Sequence, residues 1–587
     1  MSTSGPSLAL DFTICEIPFS FRGSWLDLSP VTAMHTTSEA IHLVSHRNGM
    51  HAVLRLEPVR GDEVVDAAWR ARTASFRWKA DSGAVEAAFE NPDTVRLRGD
   101  GLGLRIGDAA GALTPFTGVY LFVDPVDSAP TFTSYETGRR YRITVLKGAL
   151  EVEGDEALGE APRAVVLGAD GLPWEAALEE VSASAAAYEP GPGFDAVVDA
   201  SARALGEYVD AVAPWRDERT PAAELAAYVL WSATVAPEGF LGRESVLMSK
   251  HWMDKVWSWD HCFNALALAP GLTDLAVDQF LAPFDHQDAT GALPDSVAHS
   301  EVLYNYVKPP IHGWALRRLR ATAGRDLTTA ELEEIHRRLT GWSRFWLDRR
   351  RRPGHELPYY QHGNDSGWDN STTFDVERVI EAPDLAAFLV LQLEVLADLS
   401  RELGQQDQEW TLAREQVLRA LLEQLWTGEE FVARGARSAR ASTSTSLLNL
   451  LPLVLGDRLP EEVRSSMVAH LLDHLTDFGP ATEPVGSHHY EADGYWRGPI
   501  WAPSTALIED GLRASGFAEL ADIVSARFRA LCEGGGFAEN FDASTGAGLR
   551  DRAYTWTAAV YLTLAADHVR RNPLPPAGVP AGRKTVC

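Results

Sequence analysis

The sequence predicts a mainly α fold in which an N-terminal antiparallel β-sandwich precedes an (α/α)6 toroid. Three observations carry that reading. Through about residue 190, short apolar–polar alternations are broken by Gly and Asp, which is the pattern of half-buried strands joined by tight turns. At Glu189-Pro190-Gly191-Pro192-Gly193 the composition shifts. Beyond it, apolar residues recur at helical spacing in one run after another. The expected domains are therefore 1–190, 191–575 and a C-terminal tail, 576–587.

In the first domain, Ile41 and Leu43 lead into Asn48-Gly49, and Val53 and Leu54 follow; Asn-Gly between apolar runs is a strong hairpin signal. Val95 and Leu97 alternate with Arg96 and Arg98, Gly99-Asp100-Gly101 turns, and Leu102, Leu104 and Ile106 resume the period of two. Tyr141, Ile143 and Val145 alternate again until Gly148.

The second domain predicts helices near 220–234, 257–269, 272–287, 309–324, 328–349 and 383–403. Six more are expected near 407–427, 440–455, 459–475, 500–514, 516–533 and 552–571. In 383–403, Pro383 opens a run carrying Leu385, Leu389, Leu396, Leu399 and Leu403, and Gly404 closes it. In 459–475, Val463, Met467, Leu471 and Leu475 sit four apart on one face. Twelve helices in antiparallel pairs suit a toroid, and the lack of a fixed sequence repeat disfavours a solenoid.

Charge and composition narrow the function. Lys and Arg total 53 against 82 Asp and Glu, a formal net charge of −29; so acidic a surface repels phosphate backbones and anionic lipids, and neither nucleic acid nor membrane is an expected partner. Met1 to Leu10 shows no signal-peptide pattern, and the Lys584–Cys587 terminus does not fit a prenylation box. Cys15, Cys262, Cys532 and Cys587 lack metal or redox spacing. A cytoplasmic protein with free thiols and no metal or organic cofactor is expected.

Four segments concentrate aromatic and polar residues at the helix connections. The first is His251-Trp252-Met253-Asp254-Lys255-Val256-Trp257-Ser258-Trp259-Asp260-His261. Indole faces for stacking and carboxylates for hydroxyl binding are what a sugar pocket requires, although a helix start with core tryptophans would look the same. The second, Gly363-Asn364-Asp365-Ser366-Gly367-Trp368-Asp369-Asn370-Ser371, holds two carboxylates with no adjacent basic partner. A carboxyl packed against an indole gains affinity for its proton; the structural alternative is an Asx-turn loop. The third is Tyr495-Trp496-Arg497-Gly498-Pro499-Ile500-Trp501, after His488-His489. Its Arg could bind hydroxyls or pack by cation–π contact at a helix start. The fourth, Gly534-Gly535-Gly536-Phe537-Ala538-Glu539-Asn540-Phe541-Asp542, presents Glu539 at a helix end or forms a plain surface loop. Tyr554 and Trp556 open the last helix.

This ordered set, with Lys308-Pro309-Pro310, resembles the inverting α-glycosidases built on an (α/α)6 barrel. These are glycoside hydrolase family 63, its mannosylglycerate and glucosylglycerate hydrolase branch, and the related family 37 trehalases. The resemblance spans about 240–560. It implies a general acid at Asp369, a general base at Glu539, and a first sugar subsite lined by Trp259, Asp260, Trp496, Arg497 and Trp501. Trp257, His261, Lys308, His312, Trp368, Gly498 and Trp556 complete the expected binding residues. Tyr306, His488 and Tyr490 are further candidate contacts, with Lys308 and His312 suited to an anionic aglycone. Asn540 and Phe541 stand where the trehalase motif has Lys and Tyr. The first ~190 residues, including the Ile17–Trp25 segment, look like the front domain of bacterial relatives and are assigned no chemistry.

The expected reaction is hydrolysis of a small α-linked glucoside (disaccharide or glucosylglycerate type) from its non-reducing end, with a small-molecule carbohydrate as the substrate. A polysaccharide lyase, a phosphorylase and a non-catalytic sugar-binding protein are the alternatives.

Overall fold

The computed structural model describes residues 10–81, 83–183 and 186–573. The first nine residues and the expected 576–587 tail lie outside them.

Two antiparallel sheets face each other in the first domain. The nine-stranded sheet runs Asp11–Phe12, Ala68–Arg72, Ser75–Ala80, Gly83–Asn91, Thr94–Asp100, Trp174–Val181, Arg140–Lys147, Pro130–Ser134, Val119–Val123 in spatial order. The eight-stranded sheet contains Leu26–Ala33, Thr36–Ser45, His51–Arg60 and Gly103–Asp108 at its centre. Phe76, Trp78, Phe89 and Leu97 from one sheet meet Leu28, Leu43, Leu56 and Leu104 from the other in a single buried core, as the period-two pattern requires. Around Asn48-Gly49, strands 36–45 and 51–60 pair with Ser45 opposite His51. The Gly99-Asp100-Gly101 turn does something the alternation alone does not show. Its two flanking strands lie in different sheets, so it crosses the sandwich instead of closing a hairpin.

The expected helices are present, with two corrections. Phe194–Val212, absent from the twelve, is a 19-residue helix. It packs on strands 83–91 and 94–100 and on helix Ala223–Ala233, joining sandwich to barrel. The expected helix at 440–455 starts later, at Leu447–Arg458, with Pro452 and a left-handed Gly456 inside it. Ser442, Ser444 and Ser446 instead make local bonds to nearby backbone N–H groups, the competition by which hydroxyl side chains disfavour helix.

Six helices close a ring. Asp260–Leu268, His312–Thr322, Pro383–Glu402, Leu447–Arg458, Ala502–Ala514 and Thr555–Arg571 each contact the next, and the last returns to the first. Around them lie Ala223–Ala233, Thr273–Leu281, Thr329–Arg344, Gln408–Ala420, Glu461–His474 and Ala518–Gly535. Inner helices must approach closely, and glycine permits it. A Cβ on Gly511 would sit 2.7 Å from the Leu453 backbone, and one on Gly313 would sit 2.3 Å from the Gln392 Cα.

Gly511→Ala therefore forces two inner helices apart and costs about 1–3 kcal/mol, the usual penalty of overpacking. Gly534→Ala, in a helix position with open space around it, is expected to be neutral or to stabilise by about 0.4–1 kcal/mol. Thermal unfolding of both variants against the parent checks the contrast.

Candidate active site

The inner helices present their N-terminal ends to the connections that carry the chemistry. Asp260 is the first residue of one inner helix, Lys308 lies four residues before another, Trp501 precedes a third, and Tyr554 and Trp556 open a fourth. Two-residue strands tie the connections together. Val256–Trp257 pairs with Ser296–Val297, which brings the first motif beside Asp295. Ile500–Trp501 pairs with Asn540–Phe541, which joins the third motif to the fourth. Glu539 thus sits just before a strand, four residues past the end of helix Ala518–Gly535, and not at a helix end.

A buried carboxylate cluster results. Lys308 Nζ is 3.0 Å from Asp295 and donates to the Asn364 carbonyl at 2.8 Å. Burial opposes its charge, but Asp369, Asp295 and Asp260 outweigh burial and hold its pKa above the ordinary lysine value. Burial raises the Asp369 carboxyl; Lys308 pulls it back, and the Tyr495 hydroxyl bonds to it. Burial pushes Asp260 up to about 7, against the pull of Lys308. Burial and the nearby Asp551 anion push Glu539 up to about 8, with Arg550 opposing and Asp369 reinforcing. Asp551 accepts from His251 Nδ1 at 3.0 Å. Tyr554 lies in the field of Glu539, Tyr495 and Asp260, and its hydroxyl pKa is raised by burial first.

The walls are indoles. Trp496 stacks on Trp501 with centroids 4.0 Å apart and rings 6° from parallel, and on Trp368 at 4.6 Å. Trp556 stands edge-on to Trp259 at 5.8 Å and to Trp501 at 5.5 Å. Gly367 makes this possible. Its φ of +73° suits glycine, and a Cβ there would lie 2.6 Å from the Trp259 ring. Tyr495 and Arg550 are non-glycine residues at φ 63° and 59°, and the Arg550 guanidinium lies 5.1 Å from the Tyr495 ring centroid. Two residues at positive φ, with side chains in contact beside a carboxylate pair, are strain of the kind found at functional sites.

The model of the mannosylglycerate hydrolase MGH1-like glycoside hydrolase domain matches residues 253–557, which contain every element of this cluster except His251. The chain belongs to this family. Among relatives of this glycosidase, a mannosylglycerate hydrolase from Rubrobacter radiotolerans is 25% identical over 53% of this chain and 90% of its own. A glucosylglycerate hydrolase from Mycolicibacterium hassiacum is 24% identical over 52% and 91%. In fold, the family 63 mannosylglycerate hydrolase of Thermus thermophilus, solved with Tris and D-glycerate, matches with a TM-score of 0.51 at 21% identity. That match covers 58% of this chain and 98% of that one. A bacterial glucoamylase complexed with acarbose matches with a TM-score of 0.63 at 12% identity over 97% and 96%, so the shared fold extends across the sandwich.

Within this MGH1-like hydrolase the expected contacts divide. Asp369, Glu539, Asp260 and Lys308 converge, and Trp259, Trp368, Trp496, Trp501 and Trp556 form the wall. Those five indoles are at most 3% exposed, so they pack on one another instead of offering a free face. Trp257 is half-buried on its strand. Lys308 is committed to Asp295 and the Asn364 carbonyl, which removes it as a free partner for an anionic aglycone. His261 places both ring nitrogens on the Trp257 and Val246 carbonyls, and burial pulls it down to about 4. His312 lies among Phe280, Phe284 and Trp342 and is pulled down to about 3 by burial. Both histidines are core residues rather than sugar contacts. Arg497 donates to the Asn370 carbonyl at 2.7 Å and to Asp375 at 2.6 Å, bracing the Asp369 loop. Gly498 allows a close approach to the Glu491 carbonyl, 2.3 Å from where a Cβ would sit. Asp365 does have a basic partner, Arg350 at 2.7 Å. Tyr306 stacks on His362, His488 lies against His489, and Tyr490 bonds Ser544. Sequence reasoning missed Asp295, Tyr495 and Asp551 as members of the cluster; Tyr495 adjoins Trp496 in a motif already singled out.

Because the Asp551 anion raises Glu539, Asp551→Asn removes a negative neighbour and lowers the Glu539 pKa below about 8. Arg550→Met removes a positive neighbour and raises it. NMR titration of 13C-glutamate-labelled protein, with Glu539→Gln identifying the resonance, reads both shifts; an unmoved resonance in Asp551→Asn would mean that burial alone sets the value.

Proposed function

We propose that this glycoside hydrolase cleaves a small α-linked glucoside from its non-reducing end with inversion, using Asp369 as general acid and Glu539 as general base. The observation that carries the reading is the pair itself: a buried Glu539 and a half-buried Asp369 on separate connections, both with proton affinity raised by burial, and Glu539 raised further by Asp369. Mutual repulsion makes the second ionisation harder than the first, so the pair holds one proton over a range of pH, and its limbs belong to both groups. One proton on the pair is the state that inverting hydrolysis uses. Asp369 gives its proton to the glycosidic oxygen as the C1–O bond breaks. Water attacks C1 from the opposite face and gives its proton to Glu539. Solvent then returns the proton from Glu539 to Asp369. This geometry calls for carboxyls roughly 6.5–9.5 Å apart.

A second reading rests on a specific observation. The Lys308 cation lowers the proton affinity of Asp369 and the Asp551 anion raises that of Glu539, so these two neighbours place the proton on Glu539. That favours exchanged roles, with Glu539 the acid. On the aglycone side, the cations near the cluster are already paired: Lys308 with Asp295, Arg497 with Asp375, and Arg550 with Asp493. Together with the acidic surface this supports a neutral aglycone, whereas the relatives' names point to glycerate.

One set of assays separates these readings. Trehalose and maltose are compared with α-glucosylglycerate and α-mannosylglycerate, and the first product anomer is followed by NMR. The β anomer is expected; the α anomer would overturn inversion. Asp369→Asn is expected to slow O-glycoside hydrolysis by about 10²–10⁴-fold while sparing α-glucosyl fluoride, whose leaving group needs no proton. Glu539→Gln is expected to lose both activities. The reverse pattern assigns the acid to Glu539.

A further inference from the structure

Residues 249–254 of the second domain alternate in their contacts between the sandwich and the barrel. Lys250, Trp252 and Asp254 face the sandwich. Lys250 Nζ donates to Ser20 Oγ at 2.8 Å and to the Ser24 carbonyl at 2.6 Å. The Trp252 ring lies 5.3 Å from His35, at the tip between strands 26–33 and 36–45. Asp254 Oδ2 accepts from His46 Nδ1 at 3.1 Å, while His46 Nε2 bonds Asp27 at 2.7 Å. The intervening residues face the barrel. Ser249 and His251 bond Asp551, and Met253 packs against the barrel core. Asp551 in turn holds Glu539 directly: its backbone carbonyl accepts the Glu539 N–H at 2.7 Å.

We propose that the β-sandwich positions the catalytic Glu539 through this alternating segment, with His46 and Lys250 as positioning residues acting via His251 and Asp551. The proposal rests on the hydrolase reading above for its kinetic consequences, but its geometry stands without it. His46 is fully buried between two carboxylates, and bonds to both are satisfied when both ring nitrogens carry protons. The two carboxylates outweigh burial and hold its pKa above the ordinary histidine value. Removing His46 breaks the hydrogen bonds that bridge Asp254 to Asp27 and leaves Lys250, in the field of Asp27, as the remaining charged anchor of the segment on the sandwich side. Glu539 feels Asp551, Arg550 and Asp369, and it faces Tyr495 and Tyr554; a displaced Asp551 changes the largest charge acting on it.

The test pairs His46→Gln with Arg22→Gln. Arg22 also bridges the domains, donating to Glu244 at 2.9 Å, but it does not touch the 249–255 segment. His46→Gln is expected to lower kcat ten-fold or more, move the pH limb near 8, leave KM within two-fold, and speed hydrogen exchange in 249–255 and 539–551. Arg22→Gln is expected to lower Tm while keeping kcat and the pH profile. A folded His46→Gln with parental kcat, profile and exchange overturns the proposal, as does equal loss of kcat in Arg22→Gln. Where His46→Gln does not fold, Ser20→Ala and the surface variant His35→Ala carry the same readouts. If the parent protein hydrolyses no α-glycoside, the hydrolase reading fails; faster exchange at 539–551 in the variants still decides the coupling.

Discussion

One buried ammonium holds the site together. Lys308 binds Asp295, anchors the Asp369 loop through the Asn364 carbonyl, and sits in the field of Asp260 and Asp369. Three carboxylates gathered around one cation away from water would not stay ionised together. Lys308 offsets part of that charge: burial pushes Asp260 up to about 7, and the Lys308 ammonium pulls it back. The same cation that holds the cluster together also pulls down the proton affinity of Asp260 and Asp369. A lysine that reads in sequence as a substrate contact is, in the fold, the counter-ion of the site.

The barrel supplies position by a simple device. Inner helices that run side by side in one direction bring their N-terminal ends to one mouth, and the four motif segments lie in the connections that lead toward those ends. Two-residue strands then fix each connection to its neighbour. The stacked indoles fill the space between connections, so a side chain on one motif is braced by the others. Trp368 beside Asp369 is held by Trp496 from the third motif, and Trp259 from the first rests on Gly367 of the second. Five of the chain's 18 tryptophans build this shared wall, and they are buried against one another more than they are open to a ligand.

Legibility followed sequence distance. The helix Pro383–Glu402 was readable to within a residue because its cap, its leucine spacing and its closing glycine are local. Helix 194–212 carries equally regular burial at Val197, Ser201, Leu205, Tyr208 and Val212; it directly follows the Pro-Gly run that marks the domain boundary, and the expected helices begin only near 220. The catalytic candidates were legible as residue types within motifs. Partners were not. That Arg350 would claim Asp365, that Arg497 would brace Asn370, and that His261 would turn to the Val246 carbonyl depend on chain segments brought together only by folding. Asp295 and Asp551 stand in stretches with no motif of their own, and nothing local marks them.

The raised carboxyls have a cost that can be read apart from catalysis. Glu539 binds its proton near 8 when folded, against about 4.3 in an unfolded chain. Between those values the native state holds a proton that the unfolded state has released, so unfolding releases protons and stability falls as pH rises through the window. Below it both states are protonated and the group contributes nothing to the slope. Glu539→Gln keeps the shape of the side chain and removes the titration, so its Tm should decline less steeply between about pH 5 and pH 8 than that of the parent. A parallel decline in both would mean that Glu539 is ionised in the native state at neutral pH and that the pair's single proton rests on Asp369.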